Sequence, residues 1–293
     1  MHTLIVGGDG GIGHTLAVQL RLSGNAVFST SRQADSNYST ETLYLDLSDK
    51  HCVKNFEIPD VENCVIFSAI TSIKECEENY EQAYQINVTN TIALIKRLQE
   101  NKVFTVFPSS DQVFPADSVS NTVYTATKPA NKYGQMKAEV EEFISGTCRN
   151  ACVIRLGKVI GSQFPLIESF IKQLSENRQI AAYSNYYLAP ISSTLCCEVI
   201  TRLLSKKLPD LYQLSATEAI NYHQLVKILA KQLGLDELLI NESLKREEGI
   251  VCPKNHPIMS SFLGFVANAS DLDLSIESSL IDIVPSLKSM LED

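Results

Sequence analysis

No apolar run in this chain reaches the roughly 18 residues that a bilayer-spanning helix needs. The N-terminal stretch Met1-His2-Thr3-Leu4-Ile5-Val6-Gly7 also lacks the basic start and long apolar core of a secretory leader. The expectation is a soluble, cytoplasmic protein with no membrane partner. Metal-binding spacing is missing as well. The eight cysteines, at 52, 64, 76, 148, 152, 196, 197 and 252, include no Cys-x-x-Cys pair and no histidine at ligand distance in sequence, which argues against a zinc site. Cys64 beside Val65-Ile66-Phe67 and Cys152 in Ala151-Cys152-Val153-Ile154 sit in strand-like runs, where a reduced thiol behaves as a small hydrophobe. Positive charge is scarce too. With 25 Lys and Arg against 34 Asp and Glu, the net charge is -9 and the pI about 5.1. No basic cluster interrupts that balance, so a nucleic-acid partner is not expected. Anionic ligands must then be met by local positive sites.

What is present is a chain of 293 residues with 44% hydrophobic content, enough for one large α/β unit or two closely joined lobes. It opens with a short apolar run, Thr3 to Val6, then Gly7-Gly8-Asp9-Gly10-Gly11-Ile12-Gly13, then helical periodicity from His14 to Ser23. A strand, glycine turn and helix in that order let backbone approach a pyrophosphate while the helix N-terminus offers amide hydrogens. Gly8, Gly10 and Gly13 fit one glycine spacing; Gly7, Gly10 and Gly13 fit another. Spacing alone does not choose. A second strand, Ala26 to Thr30, runs into Ser31-Arg32, where an NAD-preferring domain carries the carboxylate that grips the ribose 2'-hydroxyl. A hydroxyl followed by a guanidinium suits a 2'-phosphate better, so NADP is the expected cofactor and NAD the alternative.

Further strands are expected at Thr42 to Leu45, Cys64 to Ala69, Val103 to Phe107 and Ala151 to Arg155, with one helix over Gln82 to Glu100. Alternation at this spacing predicts an α/β fold with a parallel, doubly wound sheet, whose ligands lie beyond the carboxyl ends of the strands. In the helix-forming stretch Ala130 to Gly146, Tyr133 and Lys137 stand four residues apart and share one face. An ammonium beside a phenol favours the phenolate, so Lys137 is expected to lower the Tyr133 pKa into a range useful for proton transfer.

The glycine turn, Asp46-Leu47, Asn87-Val88-Thr89-Asn90-Thr91, Ser109-Ser110-Asp111, Tyr133-x-x-x-Lys137 and Arg155, in that order, resemble the extended short-chain dehydrogenase/reductase family. The resemblance is strong over roughly the first 160 residues. Ser109-Ser110-Asp111-Gln112-Val113-Phe114, Tyr133 to Glu139 and Leu211-Tyr212-Gln213-Leu214-Ser215 look most like its dTDP-dehydrorhamnose reductase branch. It implies a Rossmann-like dinucleotide domain at 1–160, with 188–214 returning to it, and a smaller substrate lobe from 161–187 and 215–293. Implied catalytic residues are Ser110, Tyr133, Lys137 and the ordering Asn87. Implied cofactor contacts are Gly7, Gly10, Gly11, Ile12, Gly13, Ser31, Arg32, Asp46, Leu47, Ser68, Ala69, Ile70 and Leu156, together with Tyr133 and Lys137. The implied substrate is a small molecule, a nucleotide-diphospho-sugar, and a homodimer stays open. In related sugar-nucleotide dehydratases a Glu follows the Ser/Thr-Asp pair, whereas Gln112 stands here, and an amide cannot act as that base. Reduction or epimerisation remains, beside a non-catalytic dinucleotide-binding role. Lys158, Lys172 and Arg178 are the cations available to a substrate diphosphate, with Lys158 best placed, directly after the sixth strand.

Overall fold

The structure, a computed structural model, describes residues 1–33, 41–115, 121–162, 164–244 and 272–292. Cys252 and residues 245–271 of the expected smaller lobe lie outside the described residues.

Apolar residues alternate along the first strand, so that Leu4 and Val6 face one layer of helices while Ile5 faces the other. The chain then builds the dinucleotide half: β1 (His2–Val6), α1 (Gly11–Leu22), β2 (Ala26–Ser31), β3 (Thr42–Tyr44), α2 (Lys50–Asn55), β4 (Asn63–Ile66), α3 (Ile73–Glu78) and α4 (Tyr80–Tyr84). A π-helical turn (Gln85–Asn90) leads into α5 (Thr91–Glu100), β5 (Phe104–Ser110), α6 (Lys132–Thr147) and β6 (Ala151–Leu156). Beyond it come β7 (Val159–Ile160), α7 (Pro165–Ser175), β8 (Ile180–Tyr183), β9 (Tyr187–Leu188), β10 (Ile191–Ser192), α8 (Ser193–Lys206) and β11 (Leu211–Leu214). Last are β12 (Ile220–Asn221), α9 (Tyr222–Leu233), β13 (Ile240–Ser243), α10 (Ile276–Ser279) and α11 (Ile283–Glu292).

Seven strands form one sheet in the order β11-β6-β5-β4-β1-β2-β3, every neighbouring pair parallel. The strand order reverses between β1 and β4, and in such a sheet the ligand crevice opens at that point. One face is covered by α1 and α8, through Leu16, Leu20, Leu195, Val199 and Leu203 packed on Ile5, Val65, Val106 and Ile154. The other is covered by α5 and α6, through Leu94, Leu98, Met136 and Val140 on Leu4, Val6, Ile66 and Phe107. The architecture is a doubly wound, Rossmann-like α/β fold. A separate core joins α7, β8, α9, β13 and α11 through Ile167, Ile171, Ala182, Leu225, Leu229, Ile240, Ile283 and Leu287. No helix among the described residues is long and apolar enough to cross a membrane.

Three local differences from the sequence reading bear on the site. Strand β5 continues past Phe107 to Ser110, because Ser109 and Ser110 pair in register with Arg155 and Leu156 of β6. The stretch Leu211–Leu214 is a seventh strand, held to β6. The helix expected over Gln82 to Glu100 is broken by the π turn, where the Thr91 hydroxyl reaches back to Ile86 O at 2.8 Å. That wider turn accompanies two buried amides, Asn87 and Asn90, which bond to the segments following β4 and β3.

Candidate active site

The glycine turn is shaped by contacts that exclude side chains. Gly7 has φ +87°, and a Cβ there would lie 2.7 Å from Ser68 Oγ; a Cβ at Gly13 would lie 2.3 Å from Gly7 O. A Cβ at Gly8 would likewise lie 2.5 Å from Ser29 Cβ, so Gly7, Gly8 and Gly13 are all closely approached, with Gly10 as the N-cap of α1 and Gly11 and Ile12 opening the helix. Gly7 N donates to Thr30 Oγ1 at 3.1 Å and Gly8 N to Thr30 O at 3.0 Å, stapling the turn to β2. At the end of that strand Ser31 is buried and Arg32 exposed. Backbone this open at a helix N-terminus fits a dinucleotide pyrophosphate.

Asn87 secures the next loop. Its Oδ1 accepts from Ile70 N and its Nδ2 donates to Ile70 O, both at 2.8 Å, so Ser68-Ala69-Ile70 is held beside Gly7 at the β4 end. Asn90 does the same for another segment, donating to Leu47 O at 2.7 Å, while Asp46 folds back to accept from Ser48 N. Sequence reading assigned Asn87 an ordering role; it gave Asn90 none, although both lie in the quoted Asn87 to Thr91 motif.

The Asn131 side chain caps α6 by accepting from Gly134 N at 2.8 Å, and this fixes the helix that carries Tyr133 and Lys137. Helix and β5 turn meet very closely: a Cβ at Gly134 would lie 2.1 Å from Gln112 O. Gln112 locks the junction, its Oε1 accepting from Asn131 Nδ2 at 2.9 Å and its Nε2 donating to Asp111 Oδ1 at 3.2 Å. The residue read only as a missing base is thus a brace between the β5 turn and the α6 cap.

Ser110, Tyr133 and Lys137 converge on one cleft of about 330 Å³ that also takes in Ile12, Leu156 and Lys158. Tyr133 shares a hydrogen bond with Ser110, whose hydroxyl also engages Asp111 Oδ1 at 3.0 Å. Lys137 Nζ donates to Pro108 O at 2.8 Å and sits 5.9 Å from the centroid of the Tyr133 ring. Burial lowers the Lys137 pKa to about 8, with Glu141 and then Cys76 pulling it back up. The Tyr133 phenol is pushed up, chiefly by burial and then by the Asp111 and Cys76 charges, against the Ser110 hydrogen bond. This reverses the expected direction. Burial sets the direction and the Asp111 carboxylate next to Ser110 adds to it, while the Lys137 ammonium donates to Pro108 O.

From the smaller lobe, Tyr186, Tyr187, Leu188 and Tyr222 line the same cleft. Tyr186 stacks on Tyr222 with ring centroids 5.3 Å apart, and Phe164 meets the Tyr222 ring edge-on at 6.2 Å. Sequence reading missed this wall, because aromatics at loop and strand ends carry no periodic signal. The cleft stays open beside Tyr133 rather than being filled by the lobe. Of the three candidate cations only Lys158 reaches it, its ammonium 4.7 Å from the centroid of the Phe164 ring. Although the residue is exposed overall, partial burial of its amine lowers its pKa, opposed by Asp111. Arg178 pairs with Glu176 instead. A larger hollow of about 1030 Å³, on the other flank of α6 between Glu139, Glu142, Cys148 and Pro209, contains none of Ser110, Tyr133 and Lys137. Among the described residues no His, Cys, Asp and Glu group is arranged to hold a metal ion.

Comparison with known proteins agrees with this geometry. Residues 1–259 match the family described as the RmlD substrate binding domain. The chain is 24% identical over 246 residues to the spore coat polysaccharide biosynthesis protein SpsK of Bacillus subtilis (strain 168), covering 81% of each chain. It is 27% identical over 187 residues to the dTDP-4-dehydrorhamnose reductase of Escherichia coli (strain K12), covering 60% of this chain and 62% of that one. The crystal structure of dTDP-4-dehydrorhamnose reductase from Bacillus anthracis str. Ames in complex with NADP superposes with a TM-score of 0.79 at 17% identity, over 100% of this chain and 98% of that one. A match across most of the chain, on a fold with the glycine turn and the cleft already in place, settles membership: the chain belongs to the RmlD substrate binding domain family, within the extended short-chain dehydrogenase/reductases, a group of NAD(P)-dependent nucleotide-sugar enzymes.

Proposed function

We propose that this protein is a reductase that converts a keto group of a nucleotide-diphospho-sugar to an alcohol at the expense of a reduced nicotinamide dinucleotide, with NADPH accepted. The observation that carries the reading is the convergence of Ser110, Tyr133 and Lys137 on a cleft that remains open. The Gly7 to Gly13 turn and the Ser68 to Ile70 loop would hold the dinucleotide, with Ile12, Asp46, Leu47 and Leu156 flanking it. When bound, that group supplies the hydride. This chain's own residues handle the oxygen of the substrate. Ser110 and Tyr133 donate hydrogen bonds to the carbonyl oxygen and stabilise the charge that develops there. Tyr133, whose phenol burial keeps protonated, then gives up its proton to that oxygen. Lys137, held by Pro108 O, supplies positive charge below the phenol as it turns into a phenolate. Gln112 is bound into the Asn131 cap and an amide is no base, which sets removal of water aside. The same reading gives residues 1–160 and 188–214 to the dinucleotide and 161–187 and 215–293 to the sugar nucleotide. Support for that division comes from the separate core around Ile167, Leu225 and Ile283.

The test is a panel of nucleotide-diphospho-ketosugars incubated with NADPH and with NADH. Stoichiometric oxidation of either cofactor with one of them supports reduction. Conversion of a nucleotide sugar with the reduced-nicotinamide absorbance unchanged would instead make the protein an epimerase.

Two substitutions probe the anion sites. Arg32→Ala is expected to weaken NADPH binding by about 1.5 to 3 kcal/mol, the value of a charge-assisted hydrogen bond, and to leave NADH nearly untouched; equal losses would remove Arg32 from the phosphate site. Lys158→Ala is expected to raise KM for the sugar nucleotide about tenfold with a smaller change in kcat, the pattern for binding lost equally from ground and transition states. A fall confined to kcat would move the diphosphate partner elsewhere.

A further inference from the structure

The sequence carries no acid at the end of β2, but the fold delivers one there from the other side. The glycine turn lies directly against the end of β2: a Cβ at Gly8 would be 2.5 Å from Ser29 Cβ. The turn's next residue, Asp9, is exposed, and its Oδ2 accepts from Ser31 Oγ at 2.7 Å. Ser31 is itself 2% exposed, and its Oγ accepts from Gln33 N at 3.0 Å. The serine hydroxyl has one proton, which it gives to Asp9, so the carboxylate is held in place from below by a buried, ordered donor. Arg32 is the next residue along the chain. An exposed carboxylate and an exposed guanidinium therefore flank the point where β2 ends.

In a doubly wound fold with its pyrophosphate at the glycine turn, the adenosine ribose lies beyond the end of the second strand. A carboxylate there accepts a hydrogen bond from a 2'-hydroxyl and repels a 2'-phosphate, and a guanidinium does the opposite. We infer that Asp9, anchored by Ser31, is a cofactor-selecting residue that accepts from the ribose 2'-hydroxyl and opposes the 2'-phosphate attracted by Arg32. The protein then takes NADH alongside NADPH. Asp9 restrains the NADPH preference that the Ser31-Arg32 pair would otherwise impose. This rests on the dinucleotide reading of the glycine turn and adds to it the residue that sets the choice.

The experiment is equilibrium binding of NADH and NADPH, followed calorimetrically, to the full chain, to Asp9→Asn and to Asp9→Lys. Because Asp9 is exposed, both variants should keep the fold, which circular dichroism checks. The expected result is that Asp9→Asn shifts the ratio of the two Kd values toward NADPH by about tenfold, through both tighter NADPH and weaker NADH, and that Asp9→Lys shifts it further. A ratio within twofold of the unmodified protein in both variants, with both dinucleotides still bound, overturns the assignment of Asp9 alone. Failure of the unmodified protein to bind either dinucleotide overturns the dinucleotide reading, and this inference with it.

Discussion

Tyr133→Phe is expected to lower turnover of the ketosugar substrate by about a hundredfold or more while leaving dinucleotide binding within about twofold, the loss typical of a removed general acid. The ring itself is part of the packing between β5 and α6, in one cluster with Phe107 and Met136, and phenylalanine retains that packing. Only the hydroxyl is lost, and with it the hydrogen bond to Ser110 and the proton due to the substrate oxygen. The direction of the Tyr133 shift matters for the sign of the chemistry. A phenol raised by burial and by Asp111 is protonated across the neutral range, which suits a donor in the reductive direction better than a base in the oxidative one. Ser110→Ala should fall in the same direction, since it removes the partner that orients the phenol. Steady-state cofactor oxidation and direct dinucleotide titration separate the two effects. Turnover of Tyr133→Phe within a few fold of the unmodified protein would refute the role given to this residue.

The strands and the glycine turn were legible because their signals are local and strong. An apolar run closed by glycines reads the same in sequence and in space, and strand ends in a parallel sheet necessarily gather on one edge. The pairing of Tyr133 with Lys137 was legible for the same reason, since four residues on a helix make one face. What was not legible depends on chain segments far apart. Lys137 could be placed beside Tyr133 from spacing alone, but not its bond to Pro108 O, 29 residues away. Burial decides the direction of the phenol shift, and the Asp111 charge adds to it. Gln112 read as a lost catalytic group because the sequence shows its type and not its partner Asn131, 19 residues on. Asp9 stood in the glycine turn without a role, although a carboxylate in a turn meant for a pyrophosphate was itself the signal. The π turn was not legible either, because what accompanies it is the bonding of Asn87 and Asn90 to Ile70 and Leu47, which are remote in sequence.

The largest stability effect is expected at the buried pair that ties α6 to the sheet. Arg155 on β6 donates through Nε and Nη2 to the Glu141 carboxylate, the shortest contact being 2.7 Å, and both side chains are less than a tenth exposed. The guanidinium also donates to Gln213 Oε1 on β11 at 3.3 Å and lies 4.8 Å from the centroid of the Phe114 ring. Glu141→Leu leaves that guanidinium buried with one neutral amide acceptor and an aromatic face, an arrangement expected to destabilise the fold by about 3 to 5 kcal/mol. Replacing both members with apolar side chains removes the stranded charge, so Glu141→Leu with Arg155→Met is expected to recover most of the loss. Denaturant melts of the unmodified protein, both single variants and the double variant close the cycle. The two outcomes are distinct: additive losses in the double variant would mean that the two side chains contribute independently, whereas recovery would mean that each single variant loses stability mainly through the charge it strands. The rate carries a second readout. Glu141 follows Lys137 by one helical turn and raises its pKa, so the double variant, refolded and stable, should show the alkaline limb of its pH–rate profile displaced to lower pH. An unmoved limb beside restored stability would confine the pair to holding α6 in place.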